Sequence, residues 1–165
     1  MKIVAAIIKE NGPFPNNPNL PLLHYQRVLE KLRPEEVQEK FAENNWKNSW
    51  INGIYPYHHF HSNTHEALGV VSGSCQVQVG GENGRIFEIS AGDVLVIPAG
   101  VSHKNIGSSP DFLCVGCYPL EIPYDMHEGK QTERPGVDEN IANVPHPKKD
   151  PVFGEKGPLL EHWRS

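Results

Sequence analysis

The chain has little of what marks exported, membrane-bound or nucleic-acid-binding proteins. Its cysteines are only Cys75, Cys114 and Cys117. An odd count, with no export signal, argues against a disulfide framework and for a reducing, cytoplasmic setting. No apolar run approaches a membrane span. The opening Met1-Lys-Ile-Val-Ala-Ala-Ile-Ile8 is too short for a signal-peptide core, and Lys9-Glu10 ends it, so a first strand is expected there. The net charge is −5, without the basic excess that binding phosphate backbones requires. Hydrophobic residues make up only 38%, whereas 15 Pro and 15 Gly supply many turns. That balance fits a turn-rich β-protein with irregular extensions better than a helical bundle.

At 165 residues the chain is expected to be a single domain, 1–165, with its own core. Residues 1–47 read as an N-terminal arm, 48–119 as a barrel core and 120–165 as a wrapping tail. In the arm, Ile3–Ile8 and Leu22–Leu29 are strand-like. Between them Pro13, Pro15, Pro18 and Pro21 preclude regular structure, and a loop laid over the surface is expected. Pro34–Asn44 is the one helix expected. Pro34 suits the first helical position, Glu35 and Glu36 suit the positive end of the dipole, and Val37 and Phe41 form a narrow apolar stripe.

From Ser49 to Tyr118 short β-prone runs alternate with turn signals. The runs Cys75–Val79 and Arg85–Ile89 flank Gly80-Gly-Glu-Asn-Gly84, which reads as a hairpin turn and not as a phosphate loop, since no helix follows it. Val94–Ile97 and Phe112–Tyr118 continue the series. Such a series forms a sandwich or barrel. The tail is expected to be irregular, because prolines break it throughout. Pro158-Leu-Leu-Glu-His-Trp163 is apolar enough to anchor its end.

Chemistry concentrates in Tyr57-His-His-Phe-His-Ser-Asn-Thr-His-Glu66. On a strand, side chains two apart share a face, so His59 and His61 point together while His58 and Phe60 point away. Two imidazoles at this separation make half of a metal site. Glu66 could return a carboxylate to the same face, with His65 as a competitor if the strand is bulged. His103 could arrive from the later Gly92–His103 hairpin. Three histidines and a glutamate suit one divalent Fe, Mn, Ni, Co or Zn ion and leave open positions for a ligand.

The spacing Gly53, His59-Phe-His61, Glu66, Gly73, followed by Gly92, Pro98-Ala-Gly100, His103, resembles the two sequence motifs of the cupins. Every anchor is present except a final asparagine: position 107 is Gly, and Asn105 lies two residues early. With its Pro15-Asn-Asn-Pro18 arm and Pro158-Leu-Leu160 end, the chain also resembles a group of single-domain bacterial cupins of undetermined function. The resemblance implies an all-β fold, a small double-stranded β-helix of jelly-roll type. It also implies metal ligands at His59, His61, Glu66 and His103. It does not imply a substrate.

Other candidates carry plainer expectations. Cys114 and Cys117, three apart on a strand, face opposite sides and should be inert. Asp93 reads as ordinary turn chemistry. Tyr55 and Tyr57 share the parity of His59 and either line a pocket or fill the barrel. Among His127, His146 and His162, one could reach the barrel mouth. Three functions remain open. The first is a metal-dependent enzyme of dioxygenase or isomerase/lyase type, with Glu66 as ligand or base. The second is a non-catalytic metal cupin that captures a small molecule, and the third a structural metal site. Strand-like pieces of the arm could also pair across a two-fold axis to give a homodimer.

Overall fold

Alternation of side chains along the strands divides the interior of this protein into two compartments. The structure is a computed structural model that describes residues 1–164. Its strands are β1 (Lys2–Ala6), β2 (Leu22–Gln26), β3 (Lys47–Asn52), β4 (Glu66–Ser72), β5 (Ser74–Val79), β6 (Ile86–Ser90), β7 (Val94–Ile97), β8 (His103–Ser108) and β9 (Leu113–Tyr118). They form two antiparallel sheets, one ordered β1-β2-β7-β4-β9-β3 and the other β6-β5-β8. The fold is the small all-β barrel that the motifs imply.

In β7, Val94 and Val96 join an outer core with Tyr25, Phe41 and Trp46, while Leu95 and Ile97 join an inner core with Leu68, Val77 and Ile89. β4 obeys the same parity: Ala67 faces outward, whereas Leu68 and Val70 face the barrel interior. That parity sends Glu66 inward and His65 outward. β9 places Cys117 in the outer core and Cys114 in the inner one, so the thiols lie on opposite faces. Burial pushes both thiols well above the usual range, in keeping with an inert pair.

The expected helix forms as α1 (Pro34–Glu43), with the Arg33 backbone N–H donating to Glu36 and with Val37 and Phe41 buried on the sheet. The hairpin turn between β5 and β6 also forms, with Asn83 at φ 62°.

Three expectations need correction. The arm does not stay outside the barrel, since β1 and β2 extend the larger sheet. The proline-rich loop is not laid over the surface either: Asn16 and Asn17 are buried. The Asn16 amide donates to Lys9 O and Gly80 O and its oxygen accepts from Ser102 N–H, while Asn17 donates to Ala99 O. Proline leaves backbone groups without ladder partners, and these asparagines supply them from the side chain.

The tail is likewise not irregular throughout, for it carries α2 (Gly136–Asn143) and α3 (Pro158–His162). These helices are too short to show a period in sequence, and they form because Val137, Ile141 and Leu159 find buried sites. The end of the tail is anchored as expected, with Trp163 3% exposed in the outer core and donating to Pro21 O. No helix among the described residues is long and apolar enough to cross a membrane.

Asp150 holds the tail to the sheet. Fully buried, it accepts from the Tyr25 hydroxyl at 2.6 Å and from the backbone N–H groups of Val152, Phe153 and Leu159. Asp150→Ala would strand these donors in the interior. The expected cost is roughly 3 kcal/mol or more, read as a lowered urea midpoint. A midpoint unchanged from the parent would refute this role.

Candidate metal centre

The two histidine-bearing segments are joined by backbone before any side chain is considered. His59 N–H donates to His103 O at 3.2 Å, and His103 N–H donates to His59 O at 2.9 Å. Beside this bridge, Gly100 N–H donates to His61 O at 2.8 Å. Gly100 has φ 92°, and a Cβ there would meet Asn16 O at 2.4 Å, so the turn requires glycine. The segment 59–61 is therefore not the regular strand expected from alternation. It is an isolated bridge beside β8, and His59 and His61 still converge because Phe60 is turned away into a separate cluster with Phe14 and Val137.

All four expected residues line one cavity of about 310 Å³. Donor atoms of His61, Glu66 and His103 lie within 4.8 Å of one another, and His59 is outside that tight trio. Glu66 Oε1 is 3.2 Å from His103 Nε2 and 3.6 Å from His61 Nε2. The His59 ring centroid is 4.1 Å from that of His103, so His59 flanks the group.

Each of these histidines is oriented in the same way. Nδ1 of His59, His61 and His103 lies 2.9, 2.5 and 3.1 Å from the carbonyl oxygens of Tyr57, Asp125 and Val101. A carbonyl can only accept, so Nδ1 carries a proton, and in the neutral ring Nε2 is left with a lone pair. That is the tautomer a metal-binding histidine needs. Glu66 is tied on its other oxygen: the Tyr118 hydroxyl donates to Oε2 at 2.8 Å and accepts from Trp50 Nε1–H at 2.8 Å. Trp50 reaches Tyr118 by lying over Gly116, where a Cβ would come within 2.2 Å of the indole.

The charges of the group are coupled. Burial alone would raise the Glu66 pKa, but His61 and His103 hold it well below the carboxylate range. Burial, the largest single influence, would likewise lower His61, but the Glu66 charge and hydrogen bond together with Asp125 outweigh it and the net shift is upward. His59 is pushed down to about 3 by burial, then by His103. The cluster thus holds one ionised carboxylate beside His59, an imidazole that resists protonation, and its donor set suits a divalent cation.

The neighbours separate as alternation requires. His65 is buried on the outer face, its ring 4.7 Å from Trp163 and its Nδ1 accepting from Ala99 N–H. It has no approach to Glu66's carboxylate face. His58 packs on Phe14, with its Nε2 3.3 Å from Glu82 Oε1 and away from the cavity. Tyr55 lines the cavity while Tyr57 stacks behind it, centroids 5.1 Å apart. Asn105, two residues early for the second motif, still performs turn chemistry by accepting from Gly107 N–H. Asp93 does more than shape its turn: it accepts from Ser90 N–H, Arg27 N–H and His24 Nε2, tying β7 to β2.

Sequence reasoning missed Tyr118, Trp50 and the tail residues Tyr124, Asp125 and Met126. Parity along β9 could have found Tyr118, an even number of residues from the inward Cys114. Nothing in the tail's composition points to the other three. There the chain returns over the cavity, pairing His127 with Phe60 through two backbone hydrogen bonds. Tyr124 and Met126 thereby reach the cavity wall, and Asp125 accepts from Ser62 N–H and Oγ–H. His127 sits by this return, with Asp125 and Glu133 on its two ring nitrogens. His146 lies against Trp163 O and His162 is exposed; neither lines the cavity.

A family model described as the cupin domain matches residues 52–115. A Bacillus subtilis (strain 168) protein described as uncharacterized protein YjlB is 42% identical over 154 residues, covering 93% of this chain and 92% of its own length. Similar solved structures include acireductone dioxygenase from Bacillus anthracis with a cadmium ion in its active centre. It is 16% identical with TM-score 0.38, over 53% of this chain and 59% of that one. Another is Bacillus subtilis oxalate decarboxylase with Mn(II) centres, 20% identical with TM-score 0.40, over 74% of this chain and 29% of that one. The chain therefore spans less than two thirds of either enzyme. The near full-length relative, and the cupin model running across all three histidines and Glu66, establish that this chain belongs to the cupin superfamily.

Proposed function

We propose that this protein is a divalent-metal-dependent enzyme acting on a small molecule, of dioxygenase or isomerase/lyase type, with His59, His61, Glu66 and His103 holding the ion. The observation that carries this is the shared Nδ1-to-carbonyl bond of the three histidines, which leaves each Nε2 free of the backbone, with those of His61 and His103 at 3.6 and 3.2 Å from Glu66 Oε1. A bound ion would supply Lewis acidity or redox chemistry at positions left open to substrate. The donor set contains no thiolate and suits Fe, Mn, Ni, Co or Zn.

The chain's own residues do the rest. Tyr118 holds Glu66 Oε2, which leaves Oε1 facing the imidazoles and lowers the basicity of the carboxylate. Glu66 is therefore better suited as a permanent ligand than as a displaceable base. Tyr124 and Met126, carried in by the tail, line the mouth of the cavity.

One observation favours the non-catalytic reading, a metal cupin that captures a small ligand. The cavity wall holds no acid or base beyond the proposed ligands except tyrosines, and Tyr118 already has its hydroxyl engaged. Turnover of a bound small molecule by the metal-loaded protein separates the two.

Elemental analysis should find about one divalent metal per chain, and a protein empty after reconstitution would refute the site. His61→Ala and His103→Ala should lose more affinity than the roughly 10–100-fold that removing an outer partner costs, whereas His58→Ala should retain the metal. Tyr118→Phe should weaken affinity by about 10-fold without unfolding the protein, as judged by competition with a chelator. Metal affinity should also fall on acidification. The proton on His61 competes with the ion, and its raised pKa moves that competition to higher pH than for a free histidine. Affinity is thus full above this pKa and declines as pH drops through it, in a titration that belongs to the His61–Glu66 pair. Retention independent of pH across the histidine range would contradict the assignment.

A further inference from the structure

We propose that this cavity selects an uncharged, planar molecule bearing oxygen donors and rejects the same molecule when its far side carries a carboxylate. The inference rests on the metal-centre reading above and concerns the walls, not the floor.

Among the described residues the wall has no lysine or arginine, and its one carboxylate is Glu66, at the floor. The basic residue of β3, Lys47, is outside the wall and lies 3.3 Å from Glu121. Carboxylates and phosphates are ordinarily recognised by Arg and Lys through charge-assisted hydrogen bonds. Here an anionic group directed away from the centre would lose its hydration without gaining such a partner.

What the wall offers is flat and polarizable. Tyr118 and Tyr124 stack with centroids 4.4 Å apart and planes 19° from parallel. Tyr55 stands at the mouth, 51% exposed, with Tyr124 at 38% and Met126 at 40%. An exposed apolar cluster of this kind, around a cavity, is a binding surface for something apolar. Aromatic faces favour offset or edge contact with another ring, and the Met126 thioether favours ring edges. The hydroxyls of Tyr55 and Tyr124 have no hydrogen-bond partner among the described residues, which leaves them to meet a neutral oxygen. The cavity of about 310 Å³ also suits one or two rings, since a cavity of roughly 150 Å³ admits a benzene.

The test uses zinc-loaded protein, because zinc is redox-silent. Binding of 3-hydroxypyran-4-one is compared by calorimetry with comenate, the same ring carrying one carboxylate. Zinc content is measured on the same samples. The uncharged ring should bind at least about tenfold tighter, and Tyr55→Ala should lose about tenfold for it at unchanged zinc content, the upper end of a lost aromatic contact. Zinc-replete protein that binds comenate equally or better, or Tyr55→Ala with unaltered affinity, overturns the selectivity and leaves the metal reading intact. Protein that takes up no zinc overturns the metal reading instead. The wall is then tested alone, by calorimetry of the metal-free protein with 4-methylphenol against 4-hydroxybenzoate. Preference for the neutral phenol supports the selectivity, and equal or reversed affinity overturns it.

Discussion

The two-way backbone bridge between His59 and His103 is the constraint on which the rest of the site depends. It fixes an irregular segment against the start of β8 without using either side chain. Both imidazoles are thus delivered to one wall of the barrel while remaining free for chemistry. The neighbouring bond from Gly100 N–H to His61 O extends the same pairing by one step and adds the third imidazole. Glu66 arrives independently, as the first residue of β4, with Ile97 of β7 opposite it on one side.

Convergence alone would leave three mobile rings. Orientation comes from outside the cluster, and each ring uses a different source. His59 and His103 lean on carbonyls two residues upstream, which are local and inexpensive to arrange. His61 leans on the carbonyl of Asp125, in the tail. The tail in turn is held by the His127–Phe60 pairing near the cavity and by Asp150 beneath Tyr25 farther along. The C-terminal segment is therefore part of the site: it sets the tautomer of one histidine and supplies Tyr124 and Met126 to the mouth. The relay from Trp50 through Tyr118 does the corresponding task for Glu66, and Gly116 makes it possible by leaving room for the indole.

Electrostatics and packing act in the same direction here. The inner core surrounds the group with Leu68, Ile54 and Cys114, and this low-dielectric setting makes an uncompensated Glu66 costly. Burial drives the flanking His59 toward neutrality. The result is a buried carboxylate–imidazole cluster with the donor set to hold a cation, set beneath aromatic walls.

The outward and inward faces of β4, β7 and β9 were legible because alternation is a local property. It separates His65 from Glu66 and Cys114 from Cys117, and it holds wherever a strand is regular. The helix at Pro34 was legible for a like reason, since its start signals and its Val37–Phe41 stripe lie within a few residues of one another. The arm was misjudged because prolines declare where regular structure ends but not which buried acceptors Asn16 and Asn17 will reach. The short helices of the tail were missed because they are stabilised by distant pockets and not by their own propensity. The sequence by itself determined the His and Glu donor types gathered at the cavity, the parity that separates Glu66 from His65 and Cys114 from Cys117, and the turns that join the strands, all of them set by neighbours along the chain. Only the tertiary structure decided that Tyr118 and Trp50 would hold Glu66, that Asp125 would orient His61 and that the tail would wall the cavity, because each of these contacts joins residues far apart in sequence through packing that no local pattern encodes.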